Sequence, residues 1–115
     1  MSGRAALQAR LWYWQRISAM VLALCVVVHL VTIVYAVRGG LSASEILART
    51  QGNWGFAAFY LVFVIAATVH APIGLAHIVE EWLGWRSRSS SLLAALFALA
   101  LLGLGLRAVW AVFAR

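Results

Sequence analysis

Three histidines carry most of the chemistry open to this chain. His29 stands inside the apolar run Ile17–Val37, and His70 and His77 stand inside the uncharged run Gly55–Val79. An imidazole at bilayer depth costs free energy unless something binds it, and the available partners are a hydrogen-bonding neighbour, a metal or a transferable proton. On a helix, positions i, i+4, i+7 and i+11 share one face. The second run places His70, Gly74, His77 and Glu81 at that spacing, and the first places Ser18, Leu22, Cys25 and His29 there. Each stripe joins a polar residue near one membrane face to an imidazole roughly 16 Å deeper. The two runs cross in opposite directions, so both stripes can line one interior. Gly74, one turn from His70, leaves room for a flat ligand against the backbone. Pro72 lacks the amide hydrogen that the Thr68 carbonyl would accept and favours a kink beside His70. From the residues alone, His29 and His70 are either metal ligands or groups hydrogen-bonded to a neighbouring helix. His77, nearer the interface, reads as a supporting or surface group.

The elements that must position these residues follow from composition. The chain has 115 residues, 65 % hydrophobic and 10 % charged, which is too apolar for a soluble domain of this size. Ile17–Val37, Gly55–Val79 and Leu92–Phe113 are each long enough to cross about 30 Å of hydrocarbon. The expected fold is all-α and integral to the membrane, a single domain with three transmembrane helices over about 12–37, 55–82 and 92–113. In the first loop, Gly39-Gly40 stops a helix and Ser42-Ala43-Ser44-Glu45 has capping-box spacing, which predicts a short interfacial helix through about Arg49. Span three carries Ala94, Ala95, Ala98, Ala100, Gly103 and Gly105, small enough to admit a close neighbouring helix. Arg107 near its end can snorkel to the surface.

Composition also excludes whole classes. No glycine-rich phosphate loop, paired carboxylates or nucleophile elbow appears, so chemistry comes from a bound cofactor or from partner subunits. The single cysteine, Cys25, rules out a disulfide framework and reads as a small core residue. The net charge of +6 comes from scattered arginines rather than a basic stripe, which argues against nucleic acid as a partner. The first apolar run has no small-residue cleavage pattern after it and reads as a retained span, not a signal peptide. All six tryptophans fall at expected interfaces, where an amphipathic indole is most stable. Arg4, Arg10, Arg16, Arg86 and Arg88 on one side outnumber Arg38, Arg49, Arg107 and Arg115 on the other, which favours a cytoplasmic N-terminus.

The run Trp12-Tyr13-Trp14-Gln15-Arg16-Ile17-Ser18-Ala19, with His29 fourteen positions after Gln15, and the run His70-Ala71-Pro72-Ile73-Gly74-Leu75-Ala76-His77, ending Glu80-Glu81-Trp82, resemble the membrane cytochrome b subunit of succinate dehydrogenase and fumarate reductase. The first run is similar to the arginine-serine-glycine motif that opens helix one of the one-haem members and to the tryptophan-glutamine start of the two-haem members. The second is similar to the family's ligand histidine followed after three residues by glycine. Three departures stand out: Ala19 replaces the usual glycine, Ala76 an arginine, and Glu81 an aspartate. The loss of the arginine puts propionate or quinone contacts at that position in doubt.

The resemblance implies a haem b-binding anchor for a flavoprotein subunit and an iron-sulfur subunit, passing electrons to or from membrane quinone and holding no dicarboxylate site of its own. It implies His70 and His29 as axial ligands of haem iron, Gly74 and His77 beside the cofactor, and Arg16 and Ser18 as quinone-site candidates. It also implies a multi-pass protein of a bacterial inner membrane. A cytochrome b anchor of another quinone-linked dehydrogenase is the nearest alternative. A small proton-linked transporter or a structural membrane protein is the alternative from a different class, although three spans without an inverted repeat argue against transport. The chain is about half the length of a two-haem subunit and is not expected to build that five-helix bundle alone. A second copy of itself or a second membrane anchor subunit is the expected partner within the lipid. Counting depth from Trp12 and Glu80 puts His29 and His70 at different levels, on different haems. Counting from Ser18 and Glu81 makes the levels equal and allows one shared iron.

Overall fold

The computed structural model describes residues 2–85 and 87–114, and no strand occurs among them. The chain runs α1 (Ser2–Gly39), α2 (Ala43–Thr50), α3 (Trp54–Leu83) and α4 (Arg88–Phe113). Among the described residues α1, α3 and α4 are long and apolar enough to cross a membrane. The 30 residues of α3 and 26 of α4 extend about 45 and 39 Å, beyond the hydrocarbon thickness. The molecule is a multi-pass membrane protein, 54 Å long and 24 Å across.

Each boundary has a local cause. α1 ends where Gly40 takes φ 113°, a left-handed conformation that an L side chain resists, and where a Cβ would strike the Glu45 carboxylate. α2 carries the expected capping box: the Glu45 N–H donates to Ser42 Oγ at 3.2 Å, and the Ser42 N–H donates to Glu45 Oε2 at 3.0 Å. Those donors, the Ser42 backbone N–H foremost and its hydroxyl after it, with Arg49 nearby, hold the Glu45 carboxyl below its ordinary value of 4.5. Asn53 caps α3 by accepting from the Phe56 N–H at 3.0 Å, and Gly84 closes it in the left-handed conformation at φ 62°. Pro72 sits inside α3 without ending it.

α3 is the central helix, with α1 and α4 packed on it. Gly105 sets the α3–α4 approach, since a Cβ there would lie 2.6 Å from Val64 Cγ1. α2 folds over the far end of α4. Thr50 Oγ1 donates to the Val112 carbonyl at 2.6 Å and the Gly52 N–H donates to the Phe113 carbonyl at 3.0 Å. Few side chains are buried. Cys25, Ala66, Pro72 and Val79 are, together with Ser18, Thr50 and Ser90, while Leu24, Val27, Leu30, Val31, Leu99 and Leu104 lie open to lipid. Helix α1 begins at Ser2, about ten residues before the expected span start near 12, because polarity marks where the hydrocarbon starts and not where a helix must.

Candidate functional site

α1 and α3 run antiparallel, and two contacts fix their register: Ser18 meets His70, and His29 meets Tyr60. Moving from Ser18 to His29 climbs α1 by about 16 Å, and moving from His70 to Tyr60 climbs α3 by about 15 Å. The two histidines therefore occupy different levels. Trp12 shares the cavity at the N-terminal end of α1 with His77 and Glu80, so the count from Trp12 and Glu80 describes the packing. The count from Ser18 and Glu81 does not, because Ser18 lies level with His70.

At the His70 level four residues converge. Ser18, 5 % exposed, donates its hydroxyl proton to the Gln15 carbonyl at 3.1 Å, and its oxygen lies 3.4 Å from His70 Nδ1. Since that proton is committed, the oxygen meets the ring as an acceptor. Nδ1 then carries the hydrogen and Nε2 keeps its lone pair. On the same side, Gln15 Nε2 would lie 3.4 Å from a Cβ added at Gly74, an ordinary contact, so α1 does not itself require glycine there. Gln15 Oε1 is buried without a hydrogen-bond partner among the described residues. A shallow cavity of about 220 Å³ lies alongside, walled by α1 and α3 only and lined by Trp14, Ile17, Ser18, Val21, Val62, Ile65, Ala66 and Val69.

At the upper level, His29 Nδ1 lies 2.8 Å from the Tyr60 hydroxyl, and its ring meets Tyr60 and Phe63 edge-on at 5.7 and 5.6 Å. His29 lines a cavity of about 590 Å³ with Thr32, Arg49, Asn53 and Tyr60 among its walls. Arg49 closes the α2 side of that space by donating to the Gly40 carbonyl at 2.6 Å.

The third space is at the end holding the N-terminus. A cavity of about 610 Å³ opens between α1, α3 and α4, lined by Gln8, Leu11, Trp12, Ile73, Ala76, His77, Glu80 and Glu81 among others. His77 is exposed there. The exposed Arg16 guanidinium stacks 5.2 Å from the Trp12 ring centre, so Trp12 joins the cavity to this cation. Ser18 does not line this space, and its hydroxyl is turned to His70 instead.

Residues 1–106 match the family model of the succinate dehydrogenase/fumarate reductase transmembrane subunit. The chain belongs to that family. Comparison with curated proteins and with solved structures returns no match to the chain. As a transmembrane subunit of this kind it is a membrane anchor, and the paired helices α1 and α3 that carry its histidines lie wholly inside the matched residues.

The donor set of this anchor subunit suits haem. His70 has Nδ1 engaged by a hydroxyl and Nε2 without a partner among the described residues, the arrangement in which one ring nitrogen is oriented and the other can bind metal, and His29 has its Nδ1 engaged by the Tyr60 hydroxyl. The unsatisfied Gln15 amide oxygen marks a polar partner missing from the His70 level. Among the described residues no group of three or more His, Cys, Asp or Glu is placed to hold a metal ion. Sequence spacing missed Gln8, Trp12 and Tyr60 as site residues. Tyr60 had a signal: once Ser18 is set opposite His70, each step up α1 is matched by a step back along α3, and His29 arrives at Tyr60.

Proposed function

We propose that this transmembrane subunit binds haem b through His70 and His29 and passes electrons between the iron-sulfur subunit and membrane quinone, anchoring that subunit and its flavoprotein. The observation that supports this most is the Gln15–Ser18–His70 chain. A hydroxyl already donating to a backbone carbonyl keeps the His70 ring in the tautomer whose Nε2 can ligate iron. When bound, haem supplies one-electron transfer at bilayer depth. The protein's part is to orient the imidazoles and to keep the Leu and Val surroundings dry.

Quinone reduction takes two electrons and two protons; the end cavity of about 610 Å³ has His77 and Glu81 in its lining, and Arg16 stands outside the lining, stacked on its Trp12. Arg16, held against Trp12, donates a hydrogen bond to a quinone carbonyl as negative charge grows on it. His77 and Glu81 at the exposed rim exchange the protons with water. Ser18 supports His70 and not the quinone, since its hydroxyl is committed away from that cavity.

A reduced-minus-oxidised optical spectrum of the purified complex tests this reading. A b-type band that diminishes in His70→Ala and in His29→Ala is the expected result. A wild-type complex, complete with its partner subunits, that shows no such band overturns it.

A further inference from the structure

We infer that Thr32 is a positioning residue for His29: by accepting the hydrogen bond of the Tyr60 hydroxyl, it keeps the hydrogen of the neutral His29 ring on Nδ1 and leaves Nε2 with its lone pair free for a ligand. What this means for iron rests on the haem reading above. The placement of the hydrogen does not.

Three side chains in a row, Thr32, Tyr60 and His29, each carry one hydrogen that could be donated, and the first is already placed. Thr32 Oγ1 donates to the Val28 carbonyl at 2.9 Å, so its oxygen meets every other group as an acceptor. The Tyr60 hydroxyl stands between that oxygen and the imidazole: it is hydrogen-bonded to the Thr32 side chain, and it lies 2.8 Å from His29 Nδ1. A phenol has one proton to give. Were it given to Nδ1, the Thr32 and Tyr60 oxygens would face each other with no hydrogen between them, an arrangement that apolar surroundings penalise. Given to Thr32, it satisfies the whole row. His29 Nδ1–H donates to the Tyr60 oxygen, Tyr60 donates to Thr32, and Thr32 donates to the Val28 carbonyl.

The helices set this row up. His29 and Thr32 are three residues apart on α1, about 4.5 Å in rise and on one face, and Tyr60 reaches both from α3. The Tyr60 ring is hemmed in on its own helix by Phe56, Phe59 and Phe63, with ring centres at 4.5, 4.9 and 6.1 Å. Packing therefore fixes the phenol oxygen, and only its proton is free to turn. All three groups of the row line the cavity of about 590 Å³ beneath α2. The His70 level uses the same device in a shorter form, for Ser18 donates to the Gln15 carbonyl and meets the ring directly. Both rows end on a backbone carbonyl of α1, three or four residues before the hydroxyl that donates to it.

Two measurements test this on Thr32→Val, which keeps the shape and loses the hydroxyl, and on Thr32→Ser, which keeps the hydroxyl. The first is nitrogen NMR of the full chain, free of haem, in lipid bilayers with isotope-labelled histidine, the His29 signal being identified by its loss in His29→Ala. The wild-type ring is expected to carry its hydrogen on Nδ1. Thr32→Val should move the tautomer ratio towards Nε2 by roughly two- to tenfold, the worth of one hydrogen bond, and Thr32→Ser should restore it. A wild-type His29 protonated on Nε2 overturns the inference, and so does a ratio that Thr32→Val leaves unchanged. The second is a redox titration of the holo-complex with its partner subunits, which decides the matter if the haem-free chain does not stay folded. Thr32→Val weakens Tyr60 as the acceptor for Nδ1, so the midpoint potential of the His29 haem should rise, by less than in Tyr60→Phe, and return in Thr32→Ser. A potential that moves in Tyr60→Phe and not in Thr32→Val overturns the inference. A wild-type complex without a b-type band, or a band that His29→Ala leaves unchanged, defeats the haem reading of His29 instead, and the NMR result on the haem-free chain tells the two failures apart.

Discussion

Replacing Ser18 by Ala removes one oxygen from the most enclosed polar contact of the His70 level. Ser18 is 5 % exposed, and its hydroxyl bridges the Gln15 carbonyl at 3.1 Å to His70 Nδ1 at 3.4 Å. The Ser18–His70 contact is long, so its net worth sits near the lower end of the usual 0.5–1.5 kcal/mol, about 0.5 kcal/mol. Losing it also leaves the Nδ1 hydrogen of a half-buried ring without an acceptor, which brings the total to about 1.4 kcal/mol, or roughly tenfold in haem affinity. Ser18→Ala is therefore expected to lower haem retained per chain after dilution and to raise the haem midpoint potential, because an imidazole without an acceptor at Nδ1 is a weaker donor to ferric iron. Ser18→Thr, which keeps the hydroxyl, is expected to restore the potential. The assays are haem quantification and a redox titration of the purified complex, beside a quinone KM. If Ser18→Ala keeps the haem content and potential of the wild type while the quinone KM rises, the Ser18–His70 assignment is wrong and the residue belongs to the quinone.

Four further changes separate structure from function. Gly74→Ala adds a Cβ only 3.4 Å from Gln15 Nε2, so the thermal stability of the haem-free protein is expected to hold or rise by about 0.5–1 kcal/mol while haem occupancy falls, read by melting curves and haem content. An unchanged occupancy removes Gly74 from the cofactor site. Gly105→Ala pushes a methyl to 2.6 Å from Val64 Cγ1, and a loss of about 1–3 kcal/mol is expected in detergent melts, partly restored by adding Val64→Ala. Tyr60→Phe takes the 2.8 Å partner from His29 Nδ1, and under the two-level arrangement it should shift the potential of one haem and leave the other alone. The Glu45 carboxyl is held below 4.5 in the folded state, so its support of α2 is present above that pH and is lost as pH falls through the lowered value. Protection of the α2 amides, taken relative to their intrinsic exchange rates, should fall on acidification below about pH 4.5, and Glu45→Gln should flatten that dependence; an equal fall in the variant removes Glu45 from the cause.

The parts of this fold that were legible in the sequence are those governed by local chemistry. Apolar length located the three spans, Gly39-Gly40 the end of α1, and Ser42 with Glu45 the start of α2, each through interactions within a few residues. Cys25 was correctly read as a small buried residue. Relative depth was not legible. Helical periodicity says which residues share a face, but it is silent on how far one helix slides along another, and a shift of one stripe repeat separates the two histidine arrangements. Packing of α1 against α3 sets that slide, through Gln15 against Gly74 and Ser18 against His70. For the same reason the sequence does not show that Ser18 lies across the bundle from His70.

The docking of α2 has a consequence for how the chain is assembled. The Val112 and Phe113 carbonyls belong to the last turn of α4, where no further helical N–H exists to satisfy them, and Thr50 and Gly52 supply the donors. Those donors emerge during synthesis between the first and second spans, more than fifty residues before the acceptors. Until α4 has crossed, α2 is held through the Arg49 bond to the Gly40 carbonyl, and the arrival of the last helix supplies the acceptors for Thr50 and Gly52. The first loop therefore works as a latch that the final span closes, and a bundle lacking α4 would leave the roof over the His29 cavity unfastened.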